Sequence, residues 1–289
     1  MGTLPKLAVI GAGVMGRNHL RAAQNGGIAI AGVFDSDLAR ARAAHTDFGA
    51  TVLETLGSID AAIIAVPTAA HFPTALPLLK KGVHCLVEKP FAATESECRQ
   101  MIEAAAVNRA VLQIGHIERF NPAVEALAAR KPAGITRLTA RRAGPASARV
   151  SDISVVLDLM VHDLDAILTL KPLAVTTVTA TGTRDQAEAE LTFADSATAS
   201  LMASRVATER LRDLHISAAD HRWHLDYIAK SLAEDDGPPM VFTGDALAAQ
   251  MQDFIASIEG KRLPRVTGEA ALAVMKLAWR IEAALGAAS

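Results

Sequence analysis

Leu7-Ala8-Val9-Ile10-Gly11-Ala12-Gly13-Val14-Met15-Gly16 decides the fold. Four consecutive apolar residues suit a strand buried on both faces. A G-x-G-x-x-G follows at once, and a helical pattern runs on from Val14 to Gln24. In such a strand–turn–helix the first glycine permits the tight turn and the second leaves room for a pyrophosphate. The third lets the helix pack closely on the strand. The helix start offers unpaired N–H groups and a positive dipole end to phosphate. Working outward, Ile28 to Phe34 reads as the second strand. Asp35 ends it, roughly 20 residues past the glycines, where a carboxylate suits the adenosine ribose hydroxyls and repels a 2′-phosphate. NAD is therefore expected over NADP, although Arg40 and Arg42 stand near enough to keep a phosphate contact open. Gly11, Gly13, Val14, Met15, Gly16 and Asp35 form the candidate cofactor loop.

The alternation continues. Leu38 to Ala44 reads as helix, Ala61 to Val66 as a buried strand, Phe72 to Lys81 as a helix stopped by Gly82, and Val83 to Val87 as a strand. Thr94 and Glu97 form a capping box for a helix through Asn108, and Val111 to Ile114 is one more strand. Strands alternating with helices predict a parallel sheet with right-handed crossovers. Past residue 118 the pattern changes. Helices are expected at Pro122 to Arg130 and Val155 to Leu170, and strands at Ile135 to Arg142, Val175 to Thr181, Ala187 to Phe193, Ala197 to Val206, Leu211 to Ala218 and Trp223 to Tyr227. Turn residues separate most of them, which predicts a mostly antiparallel sheet. A loop at Gly237-Pro238-Pro239 and helices at Asp245 to Glu259 and Gly268 to Leu285 close the chain. The expected architecture is an α/β N-terminal Rossmann domain over residues 1–118 and an α+β C-terminal domain with a mostly antiparallel open sheet over 119–289.

Composition excludes several function classes. The chain has 289 residues, a formal net charge of -2, 51% hydrophobic and 4% aromatic residues. Near-neutral charge gives no electrostatic footprint for nucleic acid or an anionic membrane, and scarce aromatics leave no base-stacking platform. Cys85 and Cys98 match no CxxC and no metal spacing, so two reduced thiols in a cytoplasmic protein are expected, with no metal. No signal peptide and no membrane-length apolar run is read.

Further motifs then fall in order. Pro67-Thr68 ends a strand and His71 follows. Glu88-Lys89-Pro90 ends the next strand. Gly115-His116-Ile117-Glu118-Arg119-Phe120-Asn121-Pro122 joins the domains, and Asp158, His162 and Asp165 share a helix. In this order they resemble the glucose–fructose oxidoreductase, inositol dehydrogenase and MocA (Gfo/Idh/MocA) family over nearly the whole chain. The junction and the Leu157-Asp158-Leu159-Met160-Val161-His162-Asp163-Leu164-Asp165 segment are similar to those of bacterial UDP-N-acetylglucosamine 3-dehydrogenases. That resemblance implies NAD-dependent oxidation of a ring hydroxyl of a nucleotide sugar. One departure is Ser154-Val155-Val156, where many relatives carry glycines before the helix aspartate.

Oxidising a secondary alcohol requires a base for the hydroxyl proton and an acceptor for the hydride. Lys89 stands just past a strand's carboxyl end, where ligands of open parallel sheets bind. The resemblance implies that it contacts substrate hydroxyl and nicotinamide ribose, with Asp158 a substrate contact and His162 base or proton relay. The spacing i, i+4, i+7 puts Asp158, His162 and Asp165 on one helical face. Asp163 reads as a solvated neighbour. Thr68 and Glu88 join the cofactor candidates. His71 stands open between a cofactor role and a helix-start role. Arg119 and Asn121 are candidates for substrate phosphate or sugar, with an N-cap as the other reading of Asn121. His19 reads as structural. Arg205, Arg210 and Arg212 read equally as diphosphate contacts or exposed strand residues. The resemblance also implies a homodimer or homotetramer through the C-terminal sheet. The alternatives are a dehydrogenase of a free sugar or cyclitol and a non-catalytic NAD-sensing protein.

Overall fold

Leu7–Ile10 forms strand β1 with all four residues buried, and Val14–Asn25 forms helix α1 directly after the glycines. A computed structural model describes residues 5–145 and 153–287. The ends of both expected domain ranges, 1–4 and 288–289, and the stretch 146–152 lie outside the described residues. Contacts divide the chain into two units, Met1–Ile117 with Asp245–Leu272, and Glu118–Gly244 with Ala273–Ser289.

In the first unit β1, β2 (Gly32–Phe34), β3 (Ala61–Ile64), β4 (His84–Val87) and β5 (Leu112–Ile114) form one sheet in the order β2-β1-β3-β4-β5. Every pairing is parallel, as βαβ crossovers require. α2 (Leu38–Phe48), α3 (His71–Lys80) and α4 (Glu95–Val107) make the connections. α4 starts at the expected capping box, in which Thr94 accepts from the Glu97 N–H and Glu97 accepts from the Thr94 N–H. β2 is shorter than expected, because the Ile28 N–H donates to the Ala23 carbonyl and so belongs to the end of α1. α7 (Ala246–Ile258), capped by Asp245, also belongs to this unit. Its Leu247, Met251 and Phe254 join Leu7, Val9, Leu20 and Ile63 in the core. Burying that stripe explains why the chain returns here after residue 244, instead of crossing once at 118/119.

The second unit holds α5 (Pro122–Ala129), β6 (Ile135–Ala143) and α6 (Val161–Leu170), followed by β7 (Val175–Gly182), β8 (Gln186–Phe193), β9 (Thr198–Ser204), β10 (Leu211–Ala218), β11 (Arg222–Asp226), β12 (Ser231–Glu234) and β13 (Met240–Val241). Its eight strands run β13-β12-β11-β10-β6-β9-β8-β7. Among the described residues only the β6–β9 pairing is parallel, so the sheet is mostly antiparallel as expected. Leu138, Ala140, Leu201, Leu214, Trp223 and Leu225 face a core shared with Met160, Val161, Leu164 and Ile167. α8 (Gly268–Ala287) starts in the first unit and belongs to the second from Ala273. The expected helix over Val155 to Leu170 is not α-helical throughout. Val156–Met160 is a π-helical turn that runs into α6. No helix among the described residues is long and apolar enough to cross a membrane.

Candidate active site

Parallel strands end at the same sheet edge, and in the first unit that edge collects the candidates. Gly11 follows β1, Asp35 follows β2, Thr68 opens a 3-10 turn shortly after β3, and Lys89 follows β4. The glycine loop has the geometry a dinucleotide needs. Gly11 has φ +97°, and a Cβ there would lie 2.6 Å from the Ala65 carbonyl oxygen. A Cβ on Gly16 would lie 1.7 Å from the Gly11 oxygen, which is the close helix–strand packing the third glycine allows. Around Gly13 a Cβ would meet nothing within 4 Å. Gly13 is also the N-cap of α1, no side chain caps that end, and no acidic residue stands in its first turn. Open space, unpaired N–H groups and a positive dipole end together fit a pyrophosphate. Val14 is exposed there and Met15 half-buried.

Asp35 is half-buried beside this loop. Its carboxylate accepts from the Ala12 N–H at 2.7 Å and the Asp37 N–H at 2.8 Å, so it braces the turn and still keeps lone pairs for ribose hydroxyls. Arg40 pairs with Asp37 at 3.3 Å and Arg42 is exposed.

His71 and Glu88 differ from expectation. His71 is buried, with Nδ1 2.9 Å from the Pro90 carbonyl oxygen and Nε2 3.0 Å from that of Val66. Both ring nitrogens face backbone carbonyls, and a neutral imidazole, with its one N–H, donates to one of them, so the ring ties together the turns after β3 and β4. Burial pushes its pKa below 6.5 despite those carbonyls and Glu88. Glu88 is buried as well. Its Oε1 lies 2.7 Å from His19 Nε2 and its Oε2 accepts the Lys89 N–H at 3.2 Å, which corrects its placement as a cofactor contact. Burial favours the neutral acid, but the His19 hydrogen bond and the charges of His19, Lys89 and His71 hold the Glu88 carboxyl below its usual range. Lys89 itself is half-buried.

In the second unit, Asp158 sits in the π-helical turn and His162 in the first turn of α6, and both are half-buried. Arg205 Nη1 approaches Asp158 Oδ2 to 3.9 Å, donates to the Ile153 carbonyl at 2.9 Å, and its Nε donates to Asp185. The wider π-turn shifts the helical phase on which the one-face reading depended. Asp165 does not join the other two. It is fully buried and accepts from Arg119 through both oxygens, at 2.6 to 3.0 Å. Its carboxylate braces Arg119 and is withdrawn from substrate. Asn121 is also withdrawn. Its oxygen caps α5 at the Ala123 N–H, and its amide donates to Glu118 and the Tyr227 carbonyl. Val155, just before the π-turn, and Val156, its first residue, are fully buried, and Ser154 donates to Glu282.

Asp163 is no solvated neighbour. It is 1% exposed and takes a bidentate ion pair from Arg142, at 2.8 and 3.0 Å. Arg142 also donates to Glu118 at 2.9 Å and stacks over Tyr227. Burial opposes the charge on Arg142, but Asp163 and Glu118 raise its pKa, while burial raises that of Asp163. The sequence reading missed Arg142, although a signal existed. Strand alternation puts it on the same face as buried Leu138 and Ala140. Asp163 likewise shares its helix stripe with buried Met160 and Ile167.

Among the described residues, two groups bring three metal-type ligand atoms within 4.8 Å: Asp213 with His215 and His224, and His221 with Glu234 and Asp235. In the first, Arg141 already donates to both Asp213 oxygens, and the two imidazoles stack at 4.2 Å with planes 5° apart. The second is an exposed ion pair of His221 with its acidic neighbours.

A family model described as "Oxidoreductase family, NAD-binding Rossmann fold" (GFO_IDH_MocA) matches residues 6–116. A UDP-N-acetylglucosamine 3-dehydrogenase of Acidithiobacillus ferrooxidans is 32% identical over 98% of this chain and 97% of its own length. Its solved structure superposes with a TM-score of 0.92, covering 99% of both chains. Inositol 2-dehydrogenase 1 of Saccharopolyspora erythraea is 32% identical over 40% of this chain and 38% of its own. The WlbA dehydrogenase of Bordetella pertussis, solved in complex with NADH and UDP-GlcNAcA, shares the fold at a TM-score of 0.84 and 18% identity, covering 99% of this chain and 98% of its own.

Proposed function

The chain belongs to the GFO_IDH_MocA oxidoreductase family, and from that premise we propose that it oxidises a ring hydroxyl of a nucleotide sugar, as UDP-N-acetylglucosamine 3-dehydrogenases do. Membership makes it an NAD-dependent dehydrogenase acting on CH–OH groups, and the sugar and the residue roles are the proposal. The observation that carries the roles is the shared sheet edge. Lys89 follows β4 on the edge where the glycine loop follows β1 and Asp35 follows β2.

Bound NAD supplies the hydride acceptor. The loop from Gly11 to Gly16 holds its pyrophosphate, Asp35 its adenosine ribose, and Thr68 lies next along the edge. Lys89 takes the nicotinamide ribose and substrate hydroxyl. Its amine in the first unit and the His162 imidazole in the second are the candidates to receive the hydroxyl proton. Asp158, restrained by Arg205, orients the substrate. Arg119, braced by Asp165, is the group for a substrate phosphate, since a fixed guanidinium loses little freedom on binding an anion. The reading also includes a cytoplasmic location, supported by the free thiols Cys85 and Cys98. It includes a homodimer or homotetramer through the second unit's sheet, as the family resemblance implies.

A free cyclitol is the second reading, favoured by the partial identity to an inositol dehydrogenase. Lys89→Ala, Asp158→Asn and His162→Asn tested with saturating NAD decide the roles. Each is expected to lower kcat by about 10²-fold or more; NAD affinity is kept in Asp158→Asn and His162→Asn and falls only modestly in Lys89→Ala, which loses one ribose contact. Parent-like turnover in Lys89→Ala would remove the assignment.

A further inference from the structure

Glu88 and Lys89 are adjacent in sequence yet differently placed. Lys89 is half-buried at the sheet edge, while Glu88 lies inside the first unit. Both neighbours of the Glu88 carboxylate are donors. His19 is fully buried on α1, three residues past Gly16, and its Nε2 faces Oε1 at 2.7 Å. The Lys89 N–H faces Oε2 at 3.2 Å. The third side is closed by the end of β5, since a Cβ on Gly115 would lie 3.0 Å from both Glu88 Oε2 and Glu88 Cα. An ionised carboxylate offers one acceptor oxygen to each of these two donors. A glutamine in its place would turn an NH2 toward one of them.

From this geometry we propose that His19 and Glu88 are a positioning pair for Lys89. The pair joins the helix that starts at the dinucleotide loop to the turn that carries the lysine. It fixes the lysine backbone relative to the cofactor loop without either side chain touching cofactor or substrate. The inference rests on the reading of Lys89 as the reacting lysine. A buried carboxylate is costly unless it is paired and hydrogen-bonded, and this one has both kinds of support. The glycine loop has separate supports, in Asp35 on the Ala12 N–H and in the Gly11–Gly16 packing. Loss of the pair should therefore spare NAD binding and disturb the lysine.

The test compares His19→Ala, His19→Gln and Glu88→Gln with the parent, with Lys89→Met as control. Three quantities are read in the full chain: kcat, NAD Kd by fluorescence titration, and deuterium uptake at the Lys89 amide. A misplacement of about 1 Å costs on the order of 10²-fold, so kcat is expected to fall by about that factor in His19→Ala and Glu88→Gln. Uptake at Lys89 rises in both, and NAD Kd stays within about threefold. His19→Gln retains a donor and returns kcat to within about tenfold of the parent. Loss of NAD affinity in step with kcat in Glu88→Gln overturns the proposal, because the carboxylate would then be a cofactor contact. Unchanged kcat and uptake in both variants also overturn it. If His19→Ala does not fold, the two volume-conserving variants decide. Parent-like kcat in Lys89→Met refutes the role of the lysine, and the uptake measurement then still judges the pair.

Discussion

Arg142→Met removes one cation that two buried carboxylates share. Arg142 is 1% exposed, and its guanidinium holds Asp163 through two hydrogen bonds and Glu118 through a third. Methionine roughly conserves the apolar stem but leaves both carboxylates buried without it. Breaking a buried pair by removing one partner costs about 3–5 kcal/mol. At a urea slope of about 2 kcal/mol/M, the unfolding midpoint falls by about 2 M. The chain's two tryptophans, Trp223 and Trp279, both belong to the second unit, so their fluorescence reports the unit that holds this cluster. Asp163→Asn is milder, because Arg142 keeps Glu118, and should cost about 1.5–3 kcal/mol. Adding Glu118→Gln and Asp163→Asn to Arg142→Met should recover part of the loss, since the unpaired charges are gone. An Arg142→Met midpoint within about 0.3 M of the parent would refute the reasoning that this arginine neutralises the cluster.

Other outcomes follow from the first unit. Gly13→Val folds normally, because its φ of -68° suits any L residue and its Cβ meets nothing within 4 Å, yet NAD affinity falls by roughly tenfold or more. Gly16→Ala places a Cβ 1.7 Å from the Gly11 oxygen and lowers thermal stability by about 1–3 kcal/mol or more, read by calorimetry. The folded-state pKa of His71 lies below 6.5, so the folded state binds fewer protons there than the unfolded chain. Stability from this residue is present above about pH 6.5 and is lost as the pH falls through that value toward the folded pKa. Denaturation of His71→Gln across pH 5 to 8 should show a flatter dependence in that window than the parent.

The strands and crossovers of the first unit were legible because buried parallel strands are short apolar runs, and because each glycine in the loop answers a steric demand. The capping box at Thr94 and the cap at Asn121 were legible for a similar reason, each being a local interaction within a few residues. What escaped depends on partners distant in sequence. β12, only Ser231–Glu234, is a strand because β11 pairs with it. α7 looked like a tail of the second domain, and its apolar stripe finds its partners in the first unit's core. Asp163 reads as solvated when Asp158, His162 and Asp165 are assigned the functional face. Yet Asp163 lies on the apolar stripe, where the buried Arg142 receives it. Asp165 and Glu88 show the same limit. Residue type and spacing marked them as chemical, and their partners Arg119 and His19 make them supports for other groups.

Nucleotide-sugar oxidation is checked by following NADH absorbance at neutral pH with UDP-N-acetylglucosamine, UDP-glucose and myo-inositol side by side. NAD reduction is expected with UDP-N-acetylglucosamine and weakens as salt is added, since a substrate diphosphate binds through cations. Reduction with inositol and none with either nucleotide sugar would contradict it.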